Sequence, residues 1–117
     1  MSKRDYLDYI QDILDAIKDA EDFVKGMNLD DFMNDKKTIF AAIKCIENIG
    51  EASKAIPQAI RNGYVDIPWK DMAGMRDKLS HAYFGVDLNV VWKTIQQDLP
   101  RLKILISEII EELDDEV

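Results

Sequence analysis

Within Arg76-Asp77-Lys78-Leu79-Ser80-His81-Ala82-Tyr83 stand an arginine, the only histidine of the chain and a tyrosine, five and two residues apart. Each residue type brings a separate capability. An arginine stays charged at any physiological pH, and its planar fork of donors suits a phosphate. A histidine ionises near about pH 6.5, so it can take or give a proton near neutrality. Ser80 adds a hydroxyl four residues after Arg76, within reach of a phosphate or the guanidinium. A fixed cation beside a proton carrier is the equipment for chemistry at a phosphate ester.

These residues need a scaffold, and their spacing says which. Laid on a helix, Trp69, Met72, Arg76, Leu79 and Tyr83 form one stripe, while His81 lies about 140° round from Arg76. An arginine in an apolar stripe is costly unless it meets an anion, a carboxylate or a subunit interface. Asp66-Ile67-Pro68 opens this helix, Gly85 reads as its stop, and Asp87 caps the next one.

The remaining chain is also helical by pattern. Tyr6, Ile10, Ile13, Ile17, Ala20 and Val24 repeat at fours and threes over residues 4–25, up to Gly26. Asn28 or Asp30 can cap a short piece, Leu29–Asp35, with Phe32 as a lid on the core. A second long helix is expected from Lys36 to Asn62; Pro57 should kink or end it near Ala55, a bend being expected because the apolar pattern continues, and Gly50 permits a close crossing. From Leu88 to Leu113 the alternation is strict, and Pro100 inside it implies one kinked helix or two nearly collinear ones. The expectation is an all-α, up-and-down bundle of four to five helices, forming one domain over residues 1–117.

Composition bounds the function. The chain has 117 residues, 47% hydrophobic and 32% charged, with a net charge of −8. That charge argues against a sequence-blind nucleic-acid binder, whose affinity comes from neutralising phosphates. Its distribution is uneven: residues 1–60 carry −4, 61–103 carry +2 and 104–117 carry −6. The mildly basic stretch holds the motif, which permits RNA. A single cysteine, Cys45, gives no disulfide framework and no cysteine-based zinc site. With no apolar leader and no spanning segment, a cytoplasmic protein without metal or cofactor is expected.

Arg-x4-His-x-Tyr near the end of a helix resembles the HEPN domain, and most closely its HepT-like toxin branch. Ile49-Gly50-Glu51-Ala52, Ile67-Pro68-Trp69, Tyr83-Phe84-Gly85-Val86-Asp87, Val91-Trp92 and Asp98-Leu99-Pro100 extend the likeness. It is strong from Cys45 to about Lys103 and rests on pattern alone in the first helix. The resemblance implies metal-independent RNA cleavage, in which a ribose 2′-OH attacks the adjacent phosphate to leave a 2′,3′-cyclic phosphate and a 5′-OH. Arg76 and His81 would be the catalytic residues. One histidine cannot be acid and base in a single turnover, and Arg76 and His81 diverge on a straight helix. A two-fold homodimer that pools two copies of each in one cleft removes both difficulties.

Further roles follow from the same likeness. Glu51 would orient Arg76, and Asp77 could pair with the imidazole four residues on. Asp77 stands where family members most often carry asparagine; a carboxylate there raises the histidine pKa and repels phosphate. Tyr83 corresponds to the position that receives AMP from a partner minimal nucleotidyltransferase, the antitoxin. Adenylylation would add bulk and an anion beside Arg76.

Plainer roles compete with these. Arg76 could form a structural ion pair with Glu47 or Glu51, and Tyr83 and Phe84 could be core aromatics. Trp69 and Trp92 suit core or dimer packing, and Cys45 suits an inert buried thiol. The acidic end is either a solvated face or a contact for a basic antitoxin surface. Three functions therefore stand side by side. They are an endoribonuclease toxin neutralised by a nucleotidyltransferase, a catalytically weak nucleotide- or substrate-binding partner of that enzyme, and a purely architectural helical dimer.

Overall fold

The computed structural model describes the backbone of residues 3–80 and 87–115, and the side chains of residues 5–75 and 87–114. Among the described residues every regular element is helical. The helices are α1 (Lys3–Phe23), α2 (Leu29–Met33), α3 (Lys36–Ala55), α4 (Gln58–Asn62), α5 (Trp69–Ser80), α6 (Leu88–Lys93) and α7 (Leu99–Asp115). The last two are joined through Thr94–Asp98 without leaving helical geometry, so the count is six rather than the expected four to five. None of them is long and apolar enough to cross a membrane.

The additional helices arise at small punctuation marks. Asn28 caps α2 in a reciprocal box. Its side chain accepts from the Asp31 N–H at 2.8 Å, and the Asp31 carboxylate accepts from the Asn28 N–H at 3.2 Å. Phe32 is not a lid. It is fully buried, with its ring centroid 5.3 Å from that of Trp92. Pro57 breaks the second long helix instead of bending it. The residue before a proline is driven out of the helical region. Ile56 accordingly takes an extended conformation, at ψ 127 degrees. Two helices, α3 and α4, replace the single bent one.

Pro100 is handled differently. A proline offers no N–H and crowds the carbonyl four residues back, here that of Gln96. Over Thr94–Asp98 the helix widens to π geometry, in which the Leu99 N–H donates to the Thr94 carbonyl. The extra residue in that turn lets the axis run on without a break. Asp87 caps α6 as expected, accepting from the Asn89 N–H at 2.9 Å. The expected stop at Gly85 lies outside the described residues.

Burial follows the periodicity closely. Ile10, Ile13, Ile17 and Ala20 of α1 are fully enclosed, and Ala42, Ile46 and Ile49 of α3 and Leu102, Ile106, Ile109 and Leu113 of α7 close over them. Fully burying an aliphatic side chain of this size contributes about 1.5–3 kcal/mol. Side by side, the long helices are ordered α5–α3–α1–α7. An ion pair at 3.0 Å, Lys103 Nζ to Glu21 Oε1, ties α7 to the end of α1. Gly26 takes a positive φ, the left-handed turn that stops α1.

The direction of α5 is fixed by chain reach. Phe32 against Trp92 places the start of the last helix beside α2, at the end where α3 begins. From Ser80 to Asp87 the chain can span at most about 25 Å. A helix of the length of α3 runs about 30 Å, so α5 must end toward the α3 N-terminus. The two helices are antiparallel.

Candidate active site on the motif helix

The base of α5 is held firmly. The Trp69 indole Nε1–H donates to the Tyr64 carbonyl at 3.0 Å, and Ile67, Trp69 and Met72 are buried. Pro68 precedes the helix, and its carbonyl accepts the first α-type bond, from the Met72 N–H at 3.0 Å. The lower half of the predicted stripe therefore faces the core. Its continuation, one turn beyond Met72, is Arg76.

The backbone of Arg76, Asp77 and Ser80 lies on α5. Their side chains lie outside the described residues, as do His81 and Tyr83 entirely. At Gly74, two residues before Arg76 on α5, a Cβ built on the backbone would meet nothing within 4 Å among the described residues. Open space rather than crowding surrounds that position.

The two carboxylates offered by α3 stand in different settings. Glu51 is exposed and lines a groove of about 630 Å³ between α1 and α3, beside Asp12, Asp15 and Asp19. Glu47, one turn earlier, keeps only 14% of its side chain exposed, with the Lys44 ammonium 4.0 Å away. Gly50, about 60° from Glu47 on the helix, is buried.

Cys45 takes no part in nucleophilic chemistry. Its thiol is buried, and desolvation, with Asp19 adding to it, pushes the pKa up to about 11. It stays protonated through neutral pH.

A second cleft, about 340 Å³, opens between α5 and α7. Met72, Met75, Leu102 and Leu105 wall it, Ile49 lies at its base, and Asp71 and Arg101 stand at its rim. Sequence reasoning did not foresee it. The methionines and leucines read as ordinary core positions, and only the placement of α5 relative to α7 reveals that they border a gap.

Comparison with known proteins bears on the same stretch. The family model described as ribonuclease HepT-like matches residues 13–109. A protein of Thermococcus cleftensis named "Probable ribonuclease HepT" is 52% identical over 101 residues, covering 86% of this chain and 92% of its own length. A Methanocaldococcus jannaschii protein named "Putative RNase MJ0125" is 45% identical over 115 residues, covering 98% and 99% respectively. In another protein of that organism, named "Gamma-glutamylcyclotransferase and putative RNase MJ0434", the match is 44% identical and takes up 50% of the length. No solved structure matches the chain. With the matched region running through α5 and both of its neighbours in sequence, this chain belongs to the ribonuclease HepT-like family.

Proposed function

We propose that the protein is a metal-independent endoribonuclease whose site is pooled from two subunits. The observation that carries this reading is the family match across residues 13–109, which encloses Arg76, His81 and Tyr83. The relatives' names point to RNA as the substrate.

In the reaction, a base removes the proton of the ribose 2′-OH and that oxygen bonds to phosphorus. The P–O5′ bond breaks, and an acid protonates the departing 5′ oxygen. The products are a 2′,3′-cyclic phosphate and a 5′-OH. His81 of one subunit serves as base and its symmetry mate as acid, which solves the shortage of one histidine per chain. Arg76 holds the non-bridging oxygens as negative charge grows on them. Asp77, one turn before His81, favours the imidazolium, and Ser80 adds a donor near the guanidinium.

In the cell the enzyme acts as the toxin of a toxin–antitoxin pair. A minimal nucleotidyltransferase transfers AMP from ATP to the Tyr83 hydroxyl and releases pyrophosphate. The new phosphodiester anion then competes with RNA for Arg76.

Digestion of RNA by the wild type, His81→Ala and Arg76→Ala tests the enzyme. Loss of a positioned acid or base lowers the rate by about 10²–10⁴. Wild-type cleavage by His81→Ala, or product ends other than cyclic phosphate and 5′-OH, overturns the mechanism. Mass spectrometry after incubation with the nucleotidyltransferase and ATP tests the modification: Tyr83 should gain one AMP, and an unmodified Tyr83 removes that role.

A further inference from the structure

We propose that the cleft between α5 and α7 is a docking groove for an amphipathic helix of another protein, one with an apolar stripe and lysine or arginine on both of its flanks. None of the motif residues takes part, so this groove is independent of the ribonuclease reading.

The layout of the helices creates the gap. α5 packs on α3 and α7 packs on α1, which leaves an opening where α5 and α7 would otherwise meet. Met72 and Met75 line one wall, and Leu102 and Leu105 line the other. Met72 and Leu102 are buried, whereas Met75 and Leu105, about a turn further along, are only partly covered. Pro68 and Met75 on one wall, and Asp98 and Leu105 on the other, are each seven residues apart, about 10 Å of helix. That length matches the distance between the first and last anchors of a helix that inserts side chains at i, i+4 and i+7. Methionine, unbranched and polarisable, adapts its shape to such inserted side chains.

The interior offers little to orient a polar small molecule. The Thr94 hydroxyl is already engaged, donating to the Val90 carbonyl at 2.9 Å. Recognition inside the cleft is therefore by apolar contact, and charge acts at its mouth. Asp71 stands on the α5 wall, Asp98 on the α7 wall and Asp66 just ahead of α5, all of them exposed. Among the described residues none of these three carboxylates has an ion-pair partner. Among the described lining residues Arg101 is the only cation, and one positive charge against three negative leaves −2 around the mouth.

That charge selects the occupant. Carboxylates on both walls attract cations on both flanks of an inserted stripe and repel anionic competitors. A nucleic-acid strand would bring phosphates to this rim. A second copy of this chain would bring a net charge of −8. A basic amphipathic helix satisfies both the apolar walls and the acidic edges.

The test is binding of labelled synthetic helices to the full-length protein, read by fluorescence anisotropy. Three capped peptides of about sixteen residues, about 24 Å of helix, carry leucine at i, i+4 and i+7 on an alanine background. Their flanks hold lysine in the first, glutamine in the second and glutamate in the third. The lysine peptide should bind about tenfold tighter than the glutamate peptide at low salt, with the gap narrowing as salt screens the rim. Met75→Lys or Leu105→Lys should abolish binding of the lysine peptide. Asp71→Lys combined with Asp98→Lys should reverse the order of the peptides. Equal binding by all three, binding that survives both cleft substitutions, or no binding by any peptide would overturn the assignment. If Met75→Lys splits a wild-type dimer in sedimentation, the cleft is an interface between copies, and the assignment falls as well. Should the cleft substitutions fold poorly by circular dichroism, the paired aspartate substitutions, at exposed positions, still decide.

Discussion

The two flanks of α3 serve different purposes. Toward α1 it presents small residues, Cys45 and Ala52, packed against a helix whose inner face is fully enclosed. On another flank it carries the buried Gly50 and the largely covered carboxylate of Glu47. The first contributes buried small residues beneath a polar groove, and the second keeps a carboxylate largely out of water. The proposed site lies on the motif helix, which packs on α3 and not on α1, so substitutions on the α1 face should separate stability from activity.

The strongest check on that division is a cavity on the apolar side. Ile17→Ala on α1, at a fully buried position, should destabilise the protein by about 2–5 kcal/mol in denaturant unfolding. RNA cleavage per folded molecule should be unchanged. A loss of kcat in the folded fraction would show that the flanks are coupled.

At the motif, Asp77→Asn should leave the unfolding midpoint nearly untouched. In the proposed site it would remove an anion that favours the imidazolium, so the basic form of His81 should appear at lower pH. The limb of the pH–rate profile governed by the base should shift toward acid. An unshifted profile would show that Asp77 and His81 are not paired.

The smallest effect concerns the start of α3, remote from both flanks. Asp35 caps that helix by accepting the Thr38 N–H at 3.0 Å, and this bond lowers its pKa from the ordinary 3.8. A carboxylate with a depressed folded pKa stabilises the fold fully above its unfolded value, and that contribution is lost as pH falls through the folded one. Asp35→Ala should therefore melt below wild type at neutral pH, with the difference shrinking as pH drops below about 3.8. A gap that stays constant into strong acid would argue against the cap.

Much of this was legible in the chain itself, because helix periodicity and capping are local. The stripes of α1 and α7, the Asp87 cap and the buried base of the motif helix at Trp69 and Met72 all follow from spacing. Pro57 and Pro100 look alike in sequence, yet one ends a helix and the other is absorbed by a widened turn. That choice depends on packing: Thr94 and Ile95 of the widened turn are buried, so the helix is held to its course, whereas α4, after Pro57, has no buried residue. Glu47 and Glu51 are one turn apart, and no local signal ranks them. Only the fold shows Glu47 largely covered and Glu51 exposed.

A site that needs both subunits is the central claim, and a mixed dimer tests it most directly. One wild-type subunit and one His81→Ala subunit, carrying different tags, are purified as the heterodimer and assayed on RNA. A pooled cleft predicts activity near that of the His81→Ala homodimer, since acid and base come from different chains. Half of the wild-type rate would mean that each subunit works alone, and would contradict the pooled site.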